Sequence, residues 1–151
     1  MTRAEVHQKG TFSLLNMISQ TKKRPNFTKA GAIALFIGVV RGETEDGEKV
    51  ERLELEAYEE KANQTLTEIC DEMQKKPGVT DVQIHHMLGE YVPGEDLVYV
   101  LVAGSHRQNI FPVLQETVER YKHEAPIFKK EHVITKSGER KSRWLPESAN
   151  Q

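Results

Sequence analysis

The sequence predicts an α+β protein with a mostly antiparallel mixed sheet, two main helices and a C-terminal hairpin. Three observations support this fold class. Apolar or alternating segments of strand length recur along the chain, two longer segments place apolar residues at helical spacing, and turn residues separate them. Their order, strand-strand-helix twice and then two strands, joins most neighbouring strands by short turns, which favours antiparallel pairing.

The chain has 151 residues, the size of one domain. We expect a single domain over 1–151, with a basic N-terminal arm at 1–29 that holds a short helix and a core at 30–145. Hydrophobic residues make up 37% and charged residues 29%, which is typical of a globular protein. The net charge of -2 disfavours general attraction to nucleic acid.

The first strand of the core is predicted at 31–40, where the residues are apolar on both alternating faces. Such a pattern suits a strand covered on both sides. The Asp46-Gly47 pair in a charged run predicts a turn. A half-exposed strand follows at 50–58, because its leucines alternate with charged residues.

An amphipathic helix is predicted at 59–76 and ends at Pro77-Gly78. Its apolar stripe includes Cys70, the single cysteine, so no intrachain disulfide can form and the thiol is expected to be buried and inert. Strands follow at 82–88 and 97–102, separated by a Pro-Gly turn.

The second long helix has two candidate starting points. A capping box at 105–108 would leave Pro112 inside the helix, where proline removes a hydrogen bond, so we predict a start near Asn109. The helix must end before Pro126. Strands at 127–134 and 140–145 are then expected to form the C-terminal hairpin.

Composition and motifs also limit location and metal binding. No apolar run approaches the roughly 18 to 20 residues of a membrane span, and the N-terminus lacks a secretory signal, so we expect a cytoplasmic protein that does not enter membranes. His85 and His86 are neighbours on a strand and point to opposite faces, while His123 and His132 lack ligand partners at metal spacing. We therefore predict no metal site and no cofactor.

Cationic residues stand where the predicted elements end. Arg41 ends a strand, His106 and Arg107 open the second helix, and Lys122 and Lys129 flank the break after it. Strand ends and helix N-termini bind anions, because backbone N–H groups point outward there. If folding brings these cations together, they form a pocket for a small phosphorylated molecule. The alternative is two solvated charged surfaces, acidic at 43–60 and basic at 120–143.

The same residues carry a resemblance to a known family. In order and in spacing, several segments resemble the catalytic large subunit of molybdopterin synthase over roughly 30–144. The segments are FIGVVR at 36–41, LELEAY at 53–58, VPGED at 92–96, SHR at 105–107, YKHEAPIFKKE at 121–131 and RW at 143–144.

This resemblance implies an α/β-hammerhead fold and a sulfurtransferase that converts cyclic pyranopterin monophosphate, or precursor Z, into molybdopterin. The two dithiolene sulfurs would arrive as a thiocarboxylate on the C-terminal Gly-Gly tail of a small ubiquitin-like subunit. Two large subunits would form a central homodimer, and with one small subunit on each they would make a heterotetramer.

The resemblance also assigns roles to residues. It implies Lys122 and Lys129 as catalytic residues, and it implies four substrate-binding residues: Phe36, Arg41, His106 and Arg107. We expect Lys122 to act as a general acid/base, since a desolvated lysine beside other cations loses its proton more easily. The chain departs from the family's usual lysine at Val39 and usual tryptophan at Phe128. Arg143 is left out of the catalytic set.

Two other functions remain alternatives. A non-catalytic module could bind a phosphorylated ligand, an acidic tail or a Gly-Gly tail in the same basic pocket, and it would tolerate Lys122→Arg, whereas acid/base chemistry would not. A nucleic-acid binder is disfavoured because the basic stretch has few aromatic residues and the chain is net negative.

Overall fold

The computed structural model describes residues 3–146, in which one seven-stranded sheet carries three α-helices. In chain order the elements are β1 (Ala4–Gln8), α1 (Leu14–Lys22), a 3-10 helix (Pro25–Lys29), β2 (Ala32–Val39), β3 (Lys49–Ala57), α2 (Glu59–Gln74), β4 (Val79–Tyr91), β5 (Asp96–Gly104), α3 (Arg107–Glu124), β6 (Ile127–Ile134) and β7 (Arg140–Trp144).

The long strand β4 joins two halves of the sheet, whose order is β2-β5-β4-β3-β6-β7. Its first part pairs with β5 antiparallel and with β1 parallel, and its last residues, Gly89 to Tyr91, pair with β3. Gly89 stands at this change of partner with a φ of 114°, which glycine adopts without strain. The second half of the sheet, β3-β6-β7, carries the C-terminal hairpin.

The two long helices pack on the first half of the sheet. Helix α2 lies on β1 and β4, and α3 lies on β5 and β2. The ring of His86 meets Tyr121 of α3, whereas the ring of His85 stacks on Phe12. The two histidines therefore point to opposite faces of β4, as their spacing predicts.

Most predicted elements of the core are confirmed, but α3 begins at Arg107 rather than near Asn109. His106 is the N-cap in extended conformation, and Pro112 lies inside the helix. Pro112 cannot donate a backbone hydrogen bond, and contacts of the first helical turn offset this loss. Ile110 is buried in the core, and Asn109 donates from Nδ2 to the Pro77 carbonyl at 3.1 Å.

The prediction that the first core strand is covered on both sides is wrong. Strand β2 is an edge of the sheet, and its side chains Ile37 and Val39 are 39% and 48% exposed. Apolar residues on an uncovered edge are what an interface with another chain requires.

The N-terminal segment contributes to the sheet as well as to the expected short helix. Helix α1 is present, but the sequence pattern did not predict β1, which pairs in parallel with β4. Cys70 of α2 is fully buried, and burial raises the pKa of its thiol to about 12. Within residues 3–146, no helix is long and apolar enough to cross a membrane.

Candidate active site

A cavity of about 340 Å³ opens at the end of β2, between that strand end and the C-terminal hairpin. Apolar side chains from β3 and β5 line part of its wall. Its charged lining residues are Arg41, Lys129 and Arg143 among the cations and Glu43, Glu45, Asp46 and Glu131 among the acids.

The topology explains why Arg41 and the two lysines meet. Arg41 follows β2 at the end where Val39 pairs with Asp96 of β5. Helix α3 starts at the opposite end of β5 and runs back, so its last turn, with Lys122, returns to the end of β2. The helix ends before Pro126, and β6 then carries Lys129 into the cavity wall.

Lys122 lies beside this cavity rather than in its lining. Its Nζ atom is 6.0 Å from the centre of the Phe36 ring, within the range of a cation–π contact. The pKa of Lys122 is lowered chiefly by burial; Glu119 opposes the shift and Arg41 adds to it. Phe36 thus lies next to the predicted acid/base.

Lys129 is the most perturbed lysine of the site. Burial, followed by the charges of Lys122 and Arg41, lowers its pKa to about 8. Behind it, burial and the charge of Lys129 lower the pKa of His86 to about 3, so this imidazole is neutral at physiological pH. An amine with a pKa near 8 exchanges protons readily near neutral pH.

This arrangement suits an anionic ligand and proton transfer. The guanidinium of Arg41 can bind a phosphate or carboxylate in bidentate geometry. The two lysines can supply further charge or give and accept protons. Among the described residues, no group of three His, Cys, Asp or Glu side chains is placed to hold a metal ion.

His106 and Arg107 lie at the other end of the sheet, so within one chain they do not meet the other predicted cations. They follow β5, whose Gly104 pairs with Ala32 at the start of β2, whereas Arg41 follows the end of β2. The eight residues of β2 span about 26 Å. Both side chains are exposed.

Sequence reasoning missed Arg143 as a residue of this cavity. It lies on β7 directly opposite Glu131 of β6 and forms an ion pair with it at 2.9 Å. Side chains alternate along β6, so Glu131 lies on the same face as Lys129. This alternation was the pattern that could have identified Arg143 as a residue of the cavity.

Comparison with known proteins now identifies the family. The sequence profile of the MoaE protein family matches residues 8–124. The chain belongs to the MoaE family. The molybdopterin synthase catalytic subunit of Bacillus subtilis is 38% identical over 130 residues, covering 86% of this chain and 76% of that protein. A probable molybdopterin synthase of Haloferax volcanii is 38% identical over 120 residues, covering 79% of this chain and 46% of the relative.

Solved structures agree with this assignment. The crystal structure of molybdopterin synthase from Staphylococcus aureus matches with a TM-score of 0.80 and 29% identity, covering 97% of this chain and 98% of that one. The predicted membership in the family of the molybdopterin synthase catalytic subunit, the α+β fold class and the molybdopterin synthase enzyme class are confirmed. The chain spans less than half the length of the Haloferax relative.

Proposed function

We propose that this MoaE-family chain transfers sulfur from the C-terminal thiocarboxylate of a small ubiquitin-like subunit to cyclic pyranopterin monophosphate, making the molybdopterin dithiolene. The observation that carries the proposal is the meeting of Arg41 and Lys129 at one cavity, with Lys122 beside it and close enough for its charge to act on Lys129. The substrate brings a phosphate and the donor tail brings an anionic thiocarboxylate, and both are stabilised by such a cluster.

The lysines supply the protons that the reaction needs. For each sulfur, a carbon–sulfur bond forms at the pterin side chain while the carbon–oxygen bond at the same carbon breaks, and the departing oxygen takes up a proton. Water then cleaves the bond between the transferred sulfur and the acyl carbon of the tail, and the tail leaves as a carboxylate. We assign to Lys122, whose pKa is lowered, donation of the proton to the departing oxygen. We assign to Lys129 the roles of supplying a positive charge beside Lys122 and of exchanging protons. Cys70 is buried with a raised pKa, which supports an external sulfur donor.

A second copy of the chain completes the site in this proposal. Strand β2 is an uncovered edge with apolar side chains, so two copies can pair through β2 about a twofold axis. Antiparallel β2 strands bring the end of one, with Arg41, to the start of the other. His106 and Arg107 of the second copy follow β5 at that start, so they can add their charges to the pocket.

The small subunit and the location follow from the same proposal. Each of the two cavities in such a dimer would receive one Gly-Gly tail, and this gives a heterotetramer. We place the complex in the cytoplasm. The family match supports an enzyme over the alternative of a non-catalytic binding module.

The test is mass spectrometry of the pterin after the chain is mixed with precursor Z and a thiocarboxylated Gly-Gly carrier. Replacement of oxygen by sulfur in the product is the expected result, and the same carrier with an ordinary carboxylate is the matched control. A mixture that binds both components but yields no sulfur-containing pterin would favour the binding module.

A further inference from the structure

Arg143 holds two carboxylates at the wall of the cavity. Its guanidinium lies 2.9 Å from Glu131 Oε1 and 3.1 Å from Glu48 Oε1. The acidic side chains are only 13% and 15% exposed, whereas that of Arg143 is 43% exposed. Two largely buried carboxylates thus share one arginine, whose loss would free both to pair with other cations.

This arginine also joins the segments that form the cavity wall. Glu48 belongs to the hairpin between β2 and β3, which the Val50 N–H to Gly42 carbonyl hydrogen bond of 3.0 Å closes. Glu131 belongs to β6, and Arg143 to β7. Beyond Arg143, the Leu145 N–H donates to the Lys129 carbonyl at 2.8 Å, so the strand end is fixed beside the lysine.

Glu131 is the acid best placed to neutralise Lys129. The two residues are separated by one position on β6, so their side chains leave the same face of the strand about 7 Å apart. A lysine side chain spans that distance easily. A direct pair would fix the ammonium charge and favour the protonated form.

The charged and titratable groups around Lys129 come from several elements. Arg41 follows β2, Lys122 comes from α3, and His86 comes from β4. Glu131 and Arg143 come from β6 and β7, and the hairpin between β2 and β3 adds acids to the cavity lining: Glu43, Glu45 and Asp46. Of these acids, Glu131 has its carboxylate bound by a guanidinium at 2.9 Å.

We propose that Arg143 is a positioning residue that binds Glu131 and Glu48 and thereby keeps Glu131 from pairing with Lys129. Arg143 thus acts through Glu131 and leaves Lys129 among cations, able to release a proton. The protonation part of this inference stands on the geometry alone, while its consequence for turnover rests on the proposed function.

The experiment measures the titration of Lys129 directly, by mass spectrometry of its acetylation with acetic anhydride across neutral to alkaline pH. In the Arg143→Gln variant the freed Glu131 should raise the pKa of Lys129 by about one unit or more. The Arg143→Gln/Glu131→Gln double variant should return the pKa to the wild-type value. Arg140→Gln on the same strand is the control, because Arg140 is exposed and pairs with Glu51 at 3.4 Å, outside the cavity lining.

A folded Arg143→Gln protein with unchanged Lys129 titration would overturn the inference, and so would a shift that persists in the double variant. Turnover supplies a second readout: Arg143→Gln should lose about tenfold in kcat at neutral pH and recover at alkaline pH, while Arg143→Lys keeps wild-type behaviour. If Lys129 titrates as expected but the wild-type chain makes no molybdopterin, the proposed function fails and the positioning role of Arg143 stands.

Discussion

The ammonium group of Lys122 lies 6.0 Å from the centre of the Phe36 ring and thus links the last turn of α3 to the edge strand β2. The ring lies on one side of the lysine and the Arg41 charge acts on it from the end of the same strand. The aromatic face stabilises the charged form of Lys122, while burial and Arg41 destabilise it. The position of this amine is therefore fixed more firmly than its protonation state.

Replacement of Lys122 tests its role as an acid/base. Lys122→Ala should reduce the rate of sulfur transfer about 100-fold or more, which is the usual contribution of a positioned acid/base. Lys122→Arg should fail as well, because a guanidinium keeps its proton. Lys130→Ala is the matched control, since that lysine lies over the Trp144 ring at 5.7 Å. Wild-type turnover in Lys122→Arg would exclude the acid/base role and favour a binding module.

The buried charge of Lys129 should lower the stability of the folded protein. Its folded-state pKa of about 8 lies below the ordinary 10.5, so folding disfavours the charged form, and wild-type stability should rise as pH increases from about 8 to about 10.5. Lys129→Met should therefore increase the free energy of unfolding by about 1–2 kcal/mol at pH 7, with the gain shrinking above pH 8. Urea unfolding at several pH values measures this effect.

The control for that experiment is Lys141→Met, because Lys141 is exposed on β7 and should show no such gain. The Lys129→Met protein should be inactive in sulfur transfer despite its higher stability, as expected for a charge retained for function. Equal stability of wild type and variant at all pH values would contradict the buried, crowded position of Lys129.

The sequence was sufficient to predict the core strands and the two long helices, because their apolar periodicity is strong and Pro or Gly residues mark their ends. It was not sufficient for β1, a five-residue strand whose partner, β4, lies about 80 positions away. Burial of β2 was overestimated because an apolar strand at the edge of a sheet has the same sequence pattern as a strand inside it.

The candidate site was also predictable only in part, because the pairing of the strands decides which of its residues meet. Motif order drew attention to Lys122, Lys129 and Arg41, and the return of α3 brings them together. No pattern along one chain could show that Arg107 and Arg41 lie at opposite ends of β2, since their placement depends on the pairing of β2 with β5.

Buried histidines should make the protein sensitive to acid. Burial lowers the pKa values of His85 and His86 to about 3, so both are neutral when folded and take up protons on unfolding below pH 6.5. Stability should therefore fall as pH decreases from 6.5 towards 3. His86→Phe should reduce the slope of unfolding free energy against pH by about 1.4 kcal/mol per pH unit. Urea unfolding at pH 7 and pH 5 measures it, and an unchanged slope would contradict the prediction.

The uncovered edge of β2 should be the contact between two copies. Ile37→Asp places a charge on that edge and should shift the protein from dimer to monomer in sedimentation analysis, with loss of sulfur transfer. Leu15→Asp is the control, because it places the same charge on a different element, α1, where Leu15 is already 79% exposed. A dimeric Ile37→Asp protein would place the interface elsewhere.

Mixing two inactive variants tests whether one site uses residues of two chains. Arg41→Ala and Arg107→Ala should each abolish most activity, because each removes a cation from every site. In a mixed dimer, one site combines the intact Arg41 of one copy with the intact Arg107 of the other, while the second site lacks both. Random exchange of subunits should therefore restore about a quarter of wild-type activity, since about half of the dimers are mixed and each has one intact site.

Mixing Arg41→Ala with Lys122→Ala is the control and should restore nothing, because those residues serve the same cavity from the same chain. A test pair that exchanges subunits but recovers no activity would refute the shared site.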